Sequence, residues 1–179
     1  MIGTLVTVPA LERPELLAPP VLAGLAELPW VDEVAVASID PELADTASFC
    51  AAYEVPLEVS ANCVVVTGKR DGAPRTAACL VLATTRADVN TLVKRRLDVR
   101  KASFLGMDDA VEQTGMAHGG ITPVGLPSHW PVLVDAAVVE VPYVVVGSGR
   151  RDSKLALPGH RLPELPRAEV VVGLALPPR

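Results

Sequence analysis

Apolar and polar positions change period several times along this chain, and each change marks an element. Residues 34–39 alternate and predict a strand, after which Asp40-Pro41 opens a helix with Leu43, Ala47, Cys50 and Ala51 on its apolar side. Residues 62–67 are rich in β-branched side chains and 77–83 form a second apolar run. Turn chemistry from Gly68 to Gly72 joins the two into a hairpin. Asp88 caps a helix in which Val89, Leu92, Val93 and Leu97 share one face, leaving Lys94 and Arg95 outward. A further helix starts at Asp108, carries Met107, Ala110, Val111 and Thr114 at helical spacing, and stops at Gly115. Residues 132–134, 143–146, 154–157 and 170–172 then read as four short strands of a meander. Ahead of all this, Pro9, Pro14, Pro19 and Pro20 predict an extended arm and a short helix over 20–28, to which no chemistry is assigned.

Strands on both sides of a helical insertion predict an α+β domain with a mixed or mainly antiparallel sheet. At 179 residues, half of them apolar, the chain fits one core. Residues 1–40 are expected to pack as an arm, helix and first strand on a main domain spanning 41–179. No run reaches membrane-spanning length and the start carries Glu12 and Glu15 rather than a basic leader, so the expected location is cytoplasmic. Cys50, Cys63 and Cys79 lack metal or disulfide spacing and are read as free thiols, and neither a metal nor a cofactor is expected. A net charge of −5 and six aromatic residues argue against an extended surface that stacks bases. Contact with RNA would be local, at Lys94, Arg95, Arg100 and Lys101 or at Arg150 and Arg151, although on charge alone a solvated helix face is the plainer reading.

Between the last predicted helix and the following strand lies residues 114–127, a stretch of fourteen with four glycines and two prolines. Glycine permits positive φ and close approach of a ligand, and proline holds the backbone still. The result is a rigid loop in which Gly119 and Gly120 expose N–H groups, the kind of donor that holds a carbonyl or phosphate oxygen without reorganisation. A turn-rich surface connection is the plainer alternative.

The order Met107-Asp108-Asp109-Ala110-Val111, Thr114-Gly115, Gly119-Gly120-Ile121-Thr122-Pro123-Val124-Gly125-Leu126 and Val132-Leu133-Val134-Asp135 resembles the YbaK/ProX-type aminoacyl-tRNA deacylases, relatives of the editing domain of bacterial prolyl-tRNA synthetase. The similarity extends over about residues 46–173. It implies a curled sheet approaching a partial barrel, an aminoacyl-tRNA acceptor end as partner, and trans-editing hydrolysis of mischarged aminoacyl-tRNA. In that family the glycine loop holds the substrate carbonyl and the terminal ribose hydroxyl helps to position water, so the chemistry needs little from protein acids or bases.

The resemblance places Gly119 and Gly120 in catalysis and His118, Thr122, Gly125 and Ser148 around the substrate. It also exposes two departures. Family members carry a lysine early in the strand that here reads Asn62-Cys63-Val64, and the register adopted puts Cys63 at that position; they carry an aspartate where Lys154 stands, after the Gly147-Ser148-Gly149 turn. If the two strands have exchanged the cation, Lys154 is the catalytic charge. Cys63 has two readings, a packed thiol bordering the substrate or a nucleophile, and nothing nearby in sequence lowers its pKa. Ser148 is equally a substrate donor or a turn residue. No Gly-x-Ser-x-Gly elbow, His-Glu-x-x-His pair or phosphate loop occurs, and the three histidines suggest no triad. A non-catalytic protein of the same fold that binds a tRNA end or a small amino acid is the second functional reading, and a partner-binding domain that uses the N-terminal arm is the third.

Overall fold

In the computed structural model, which describes residues 2–178, the spine is the hairpin of β3 (Ala61–Arg70) and β4 (Ala73–Leu82). The two strands pair antiparallel over their full length, from Ala61 opposite Leu82 to Arg70 opposite Ala73. Only Asp71 and Gly72 form the turn, both at positive φ (51° and 82°), the handedness that suits strand twist. The strands therefore run further than their apolar cores. Alternation along β4 splits its side chains: Leu80 enters the main core, whereas Ala77, Cys79 and Val81 enter a second cluster on the opposite face with Val93 and Leu97.

β6 (Ala102–Phe104) pairs antiparallel with the free side of β3, while β7 (Val132–Asp135) runs parallel to β4 and β10 (Ala168–Val171) parallel to β7. The tail is therefore not a meander. β7 is buried at all four positions, as expected of a central parallel strand, and its partner β10 returns only after α5 (Ala136–Val139) and an intervening hairpin. That hairpin, β8 (Val144–Gly147) with β9 (Ser153–Leu157), belongs to a second, antiparallel sheet in the order β1-β2-β9-β8, with β1 at Val8–Pro9 and β2 at Ala35–Ser38. A two-stranded pair of β5 (Arg86–Ala87) and β11 (Ala175–Leu176) completes the strands.

The two large sheets meet where Ser60, entering β3, bridges Val145 of β8. They curl around a shared core without closing, an α+β arrangement with one mixed and one antiparallel sheet. β2 is an interior strand between β1 and β9, and α1 (Pro19–Ala26) buries Val21 and Leu25 in that core, so the first forty residues contribute a strand and a helix to it.

Besides α1 and α5, three helical segments among the described residues flank the sheets. Asp88 caps its helix as anticipated, accepting from the N–H groups of Thr91 and Leu92, but Val89–Val93 is wound as a π-turn before the short α3 (Lys94–Arg96). α2 (Thr46–Ala52) begins at Asp45 rather than at Asp40, because Asp45 accepts from the Ser48 N–H while Pro41–Leu43 makes only a single 3-10 turn. Phe49 and Cys50 consequently face inward and Ala51 is exposed. α4 (Met107–Thr114) ends at Gly115 in the left-handed conformation, with φ 66°.

Candidate functional site

The sheets curl around a cavity of about 600 Å³, within the range of small-molecule sites. The start of β3, strand β8 and Lys154 of β9 form its walls; Ala44 to Thr46, Met107 and Ala110 stand at its edge; and His118, Gly119 and Ile121 come from the glycine-rich stretch. α4 delivers the chain there. Thr114 Oγ1 donates to the Ala110 carbonyl at 2.6 Å and accepts from the Met116 N–H at 3.2 Å, fixing the exit from Gly115.

Residues 117–120 then form a tight turn, closed by the Gly120 N–H donating to the Ala117 carbonyl at 2.9 Å. Gly119 occupies its third position with φ 78°, a conformation that suits glycine. Its own N–H makes no hydrogen bond within the described chain, which leaves a backbone donor at the cavity.

Gly120 does something different from what its place in the sequence suggests. Its N–H is committed to the turn, it is buried, and its carbonyl accepts from the Gly149 N–H at 2.7 Å. A methyl on Gly120 would lie 2.4 Å from the Arg150 carbonyl oxygen, and one on Gly147 would lie 2.3 Å from that of Gly120. These glycines let the loop and the β8–β9 turn lie backbone against backbone. Gly120 is thus a packing glycine and not an oxyanion donor.

Three other expected substrate contacts also lie away from the cavity. Gly125, at φ 78°, sits against α1, where a methyl would come within 2.2 Å of the Pro20 carbonyl oxygen. Thr122 is fully buried and its hydroxyl has no partner. Ser148 Oγ is occupied by the Ser153 carbonyl and hydroxyl and by the Arg150 N–H, which makes it a turn residue.

Lys154 is placed differently. It is only 8 % exposed, and its ammonium donates to the Ala44 carbonyl at 2.9 Å and stands 5.1 Å from the centre of the Phe49 ring. Burial holds its pKa below the ordinary lysine value, a shift that Cys50 and Asp45 oppose and Arg151 reinforces. One carbonyl engages one of three N–H donors, leaving two without a hydrogen-bond partner among the described residues of the cavity wall. Cys63 borders the same space from β3, but burial pushes its thiol up, as it does Cys79, which reaches about 12. Burial and the neighbouring Cys79 both disfavour a thiolate at Cys63, so its environment favours the packed, protonated thiol over a nucleophile.

The two basic groups separate in the structure. Arg150 makes paired hydrogen bonds to Asp152 at 2.8 Å, and Arg151 donates to the carbonyls of His118 and Pro41, tying the loop to the segment before α2. Lys94 and Arg95 instead lie in α3 and Arg100 and Lys101 immediately precede β6, and none of the four forms an ion pair among the described residues, whereas Asp98 pairs with Arg70 and Arg75 and Glu169 with Arg96.

Several lining residues were not anticipated. Asn62 Oδ1 accepts from the Thr46 hydroxyl at 2.6 Å, which commits its acceptor and leaves its amide donors beside the cavity. A polar residue opening an apolar strand was the available signal. Phe104 and Met107, both more than half exposed, sit at the rim, and nothing in their local pattern distinguished them from ordinary surface apolar residues. Among the described residues no group of three His, Cys, Asp or Glu is gathered to hold a metal, and no helix is long and apolar enough to cross a membrane.

Residues 40–165 match the aminoacyl-tRNA editing domain family, which is most of the chain. No curated protein matches the sequence significantly. Among solved structures, one described as a candidate trans-editing enzyme for prolyl tRNA synthetase superposes with a TM-score of 0.73 at 19 % identity, covering 87 % of this chain and 94 % of the other. A scaffold protein from epitope backbone grafting by computational design gives 0.71 at 21 % identity, with 89 % and 96 % covered. A hypothetical protein gives 0.68 at 22 %, with 79 % and 90 % covered. These likenesses concern the fold. The family match is what assigns the chain: it belongs to the aminoacyl-tRNA editing domain family.

Proposed function

We propose that this editing-domain protein hydrolyses the ester of mischarged aminoacyl-tRNA, with the aminoacyl end held in the cavity between β3, β8 and the glycine loop. The observation that carries this reading is the convergence on one cavity of three kinds of donor: the unpaired Gly119 N–H, the Asn62 amide and the buried Lys154 ammonium. In ester hydrolysis, water adds to the carbonyl carbon, negative charge gathers on its oxygen, and the bond to the ribose oxygen breaks as that oxygen takes a proton. Fixed donors in a partly dehydrated site oppose the developing charge without having to reorient.

The exposed His118 at the rim is the nearest imidazole, and Asp45 is held below its usual carboxylate range by hydrogen bonds from Ser48, which makes it a weak base. Activation of water therefore falls to the ribose hydroxyl beside the ester, as the family resemblance implies. This sparse supply of protein bases is also what favours the second reading, a protein that binds the aminoacyl end without turnover. Incubation with tRNA carrying a labelled amino acid separates them: hydrolysis releases free amino acid and intact tRNA, and the release falls when Lys154 is replaced by Met. Retention of the label on bound tRNA supports the binder.

A further inference from the structure

Six aromatic residues occur in the chain, and most of them serve the interior: Phe49, Trp30 and Trp130 are buried and Tyr53 is partly so. Phe104 is 61 % exposed on the edge strand β6, opposite Val66 of β3. An exposed phenylalanine alone says little. Its surroundings say more, because the ring borders both the 600 Å³ cavity and an adjoining cleft of about 430 Å³ lined by Arg86 to Asn90. It is therefore the residue shared by a pocket for the reacting group and a second concave surface next to it.

Charge is arranged to match. Immediately before β6 come the exposed Arg100 and Lys101, and the π-turn that packs beside that strand runs directly into Lys94 and Arg95, all free of ion pairs among the described residues. Arg100 and Phe104 are four residues apart, a span of about 13 Å in extended chain. A flat apolar face flanked by unpaired cations, next to a cavity, is the recurring composition of a site for single-stranded nucleic acid: bases stack on the ring and phosphates follow the charges.

We propose that Phe104 is the stacking platform for the terminal nucleobase of the substrate RNA. The ester enters the cavity, the base of the same nucleotide lies on the Phe104 ring at the rim, and the preceding phosphates pass over Lys101 and Arg100 toward the cleft. This subsite rests on the hydrolase reading for its orientation, but its existence is testable without turnover.

The test is equilibrium binding of a short single-stranded RNA ending in an unpaired ribonucleotide, compared with the same strand whose last nucleotide is abasic, at fixed salt. Stacking of one base predicts that Phe104→Ala weakens the intact strand roughly tenfold and leaves the abasic strand unchanged, whereas Phe104→Trp binds the intact strand at least as well as the natural protein. Equal affinity of Phe104→Ala and natural protein for the intact strand overturns the proposal, as does an equal loss for both strands. Release of amino acid from charged tRNA is followed in parallel. Binding that depends on Phe104 with no release keeps this subsite and removes the hydrolase reading; release with a KM indifferent to Phe104 keeps the hydrolase and removes the subsite.

Discussion

The ammonium of Lys154 reaches the main-chain carbonyl of Ala44 at 2.9 Å, across 110 residues of sequence, and so carries a charge from β9 into the cavity edge ahead of α2. Without a partner, an ammonium at this depth would sooner lose its proton than stay charged. The carbonyl and the face of Phe49 supply that partnership while leaving donors for a substrate oxygen.

This burial predicts a pH-dependent stability. Because the folded pKa of Lys154 lies below 10.5, the unfolded chain holds a proton that the folded chain releases between those two values, and stability rises with pH across that window. The half-buried Cys63 and the buried Cys79 act in the opposite sense, since unfolding lets both ionise near the ordinary thiol pKa of 9.0. The difference between natural protein and Lys154→Met isolates the lysine. As pH rises toward 10.5, the urea midpoint of the natural protein should shift upward relative to that of Lys154→Met; parallel profiles would place Lys154 in a solvated setting.

Two adjacent glycines should fail in different ways. Gly119→Ala imposes a side chain at φ 78° and 3.1 Å from the Arg151 guanidinium, at a residue that lines the cavity. Alanine keeps the N–H, but relaxing that φ swings the donor out of line, and forfeiting one oxyanion donor costs about 3 kcal/mol, or roughly a hundredfold in kcat. Gly120→Ala meets the Arg150 backbone at 2.4 Å and should lower folding stability by about 1–3 kcal/mol. Thermal unfolding together with kcat distinguishes them: equal loss of stability in both variants would contradict separate roles.

The two glycines were legible as a turn of special geometry, yet which one keeps a free N–H depends on a hydrogen bond to Ala117 and on packing against Arg150, both of them tertiary facts. Lys154 was legible as a cation out of place; its inward direction followed only once β9 lay between β2 and β8. The helix after Asp40 was misplaced because Asp40 and Asp45 both offer capping carboxylates, and only the second opens an α-helix. Parallel pairing of β7 with β4 and β10 was out of reach, since short apolar runs look alike in a meander and in a central strand.

The thiol at the cavity should be dispensable. Cys63→Ser keeps the size of the side chain and removes the thiolate, so kcat should change by less than about threefold, well below the roughly 3 kcal/mol expected of a direct oxyanion contact. Native-state alkylation at neutral pH should also be slow, because burial raises the Cys63 pKa. Rapid labelling coupled to loss of turnover would restore the nucleophile.

Binding of tRNA should be electrostatic and confined to one group. Replacing Lys94, Arg100 and Lys101 by Gln is expected to flatten the dependence of log K on log salt by about 0.7 to 0.9 per lost phosphate contact. Arg150→Gln should leave that slope unchanged, since its guanidinium is occupied by Asp152. A slope that responds only to Arg150 would move the RNA path to the other side of the loop.

The most direct measurement is single-turnover deacylation of a panel of tRNAs charged with small amino acids, using the natural protein and Lys154→Met at enzyme excess. Hydrolysis that places the carbonyl oxygen among the Gly119, Asn62 and Lys154 donors predicts release of at least one amino acid well above the spontaneous rate, falling by about a hundredfold in the variant. Release at the spontaneous rate for every charged tRNA, or release unaffected by the loss of Lys154, would contradict it.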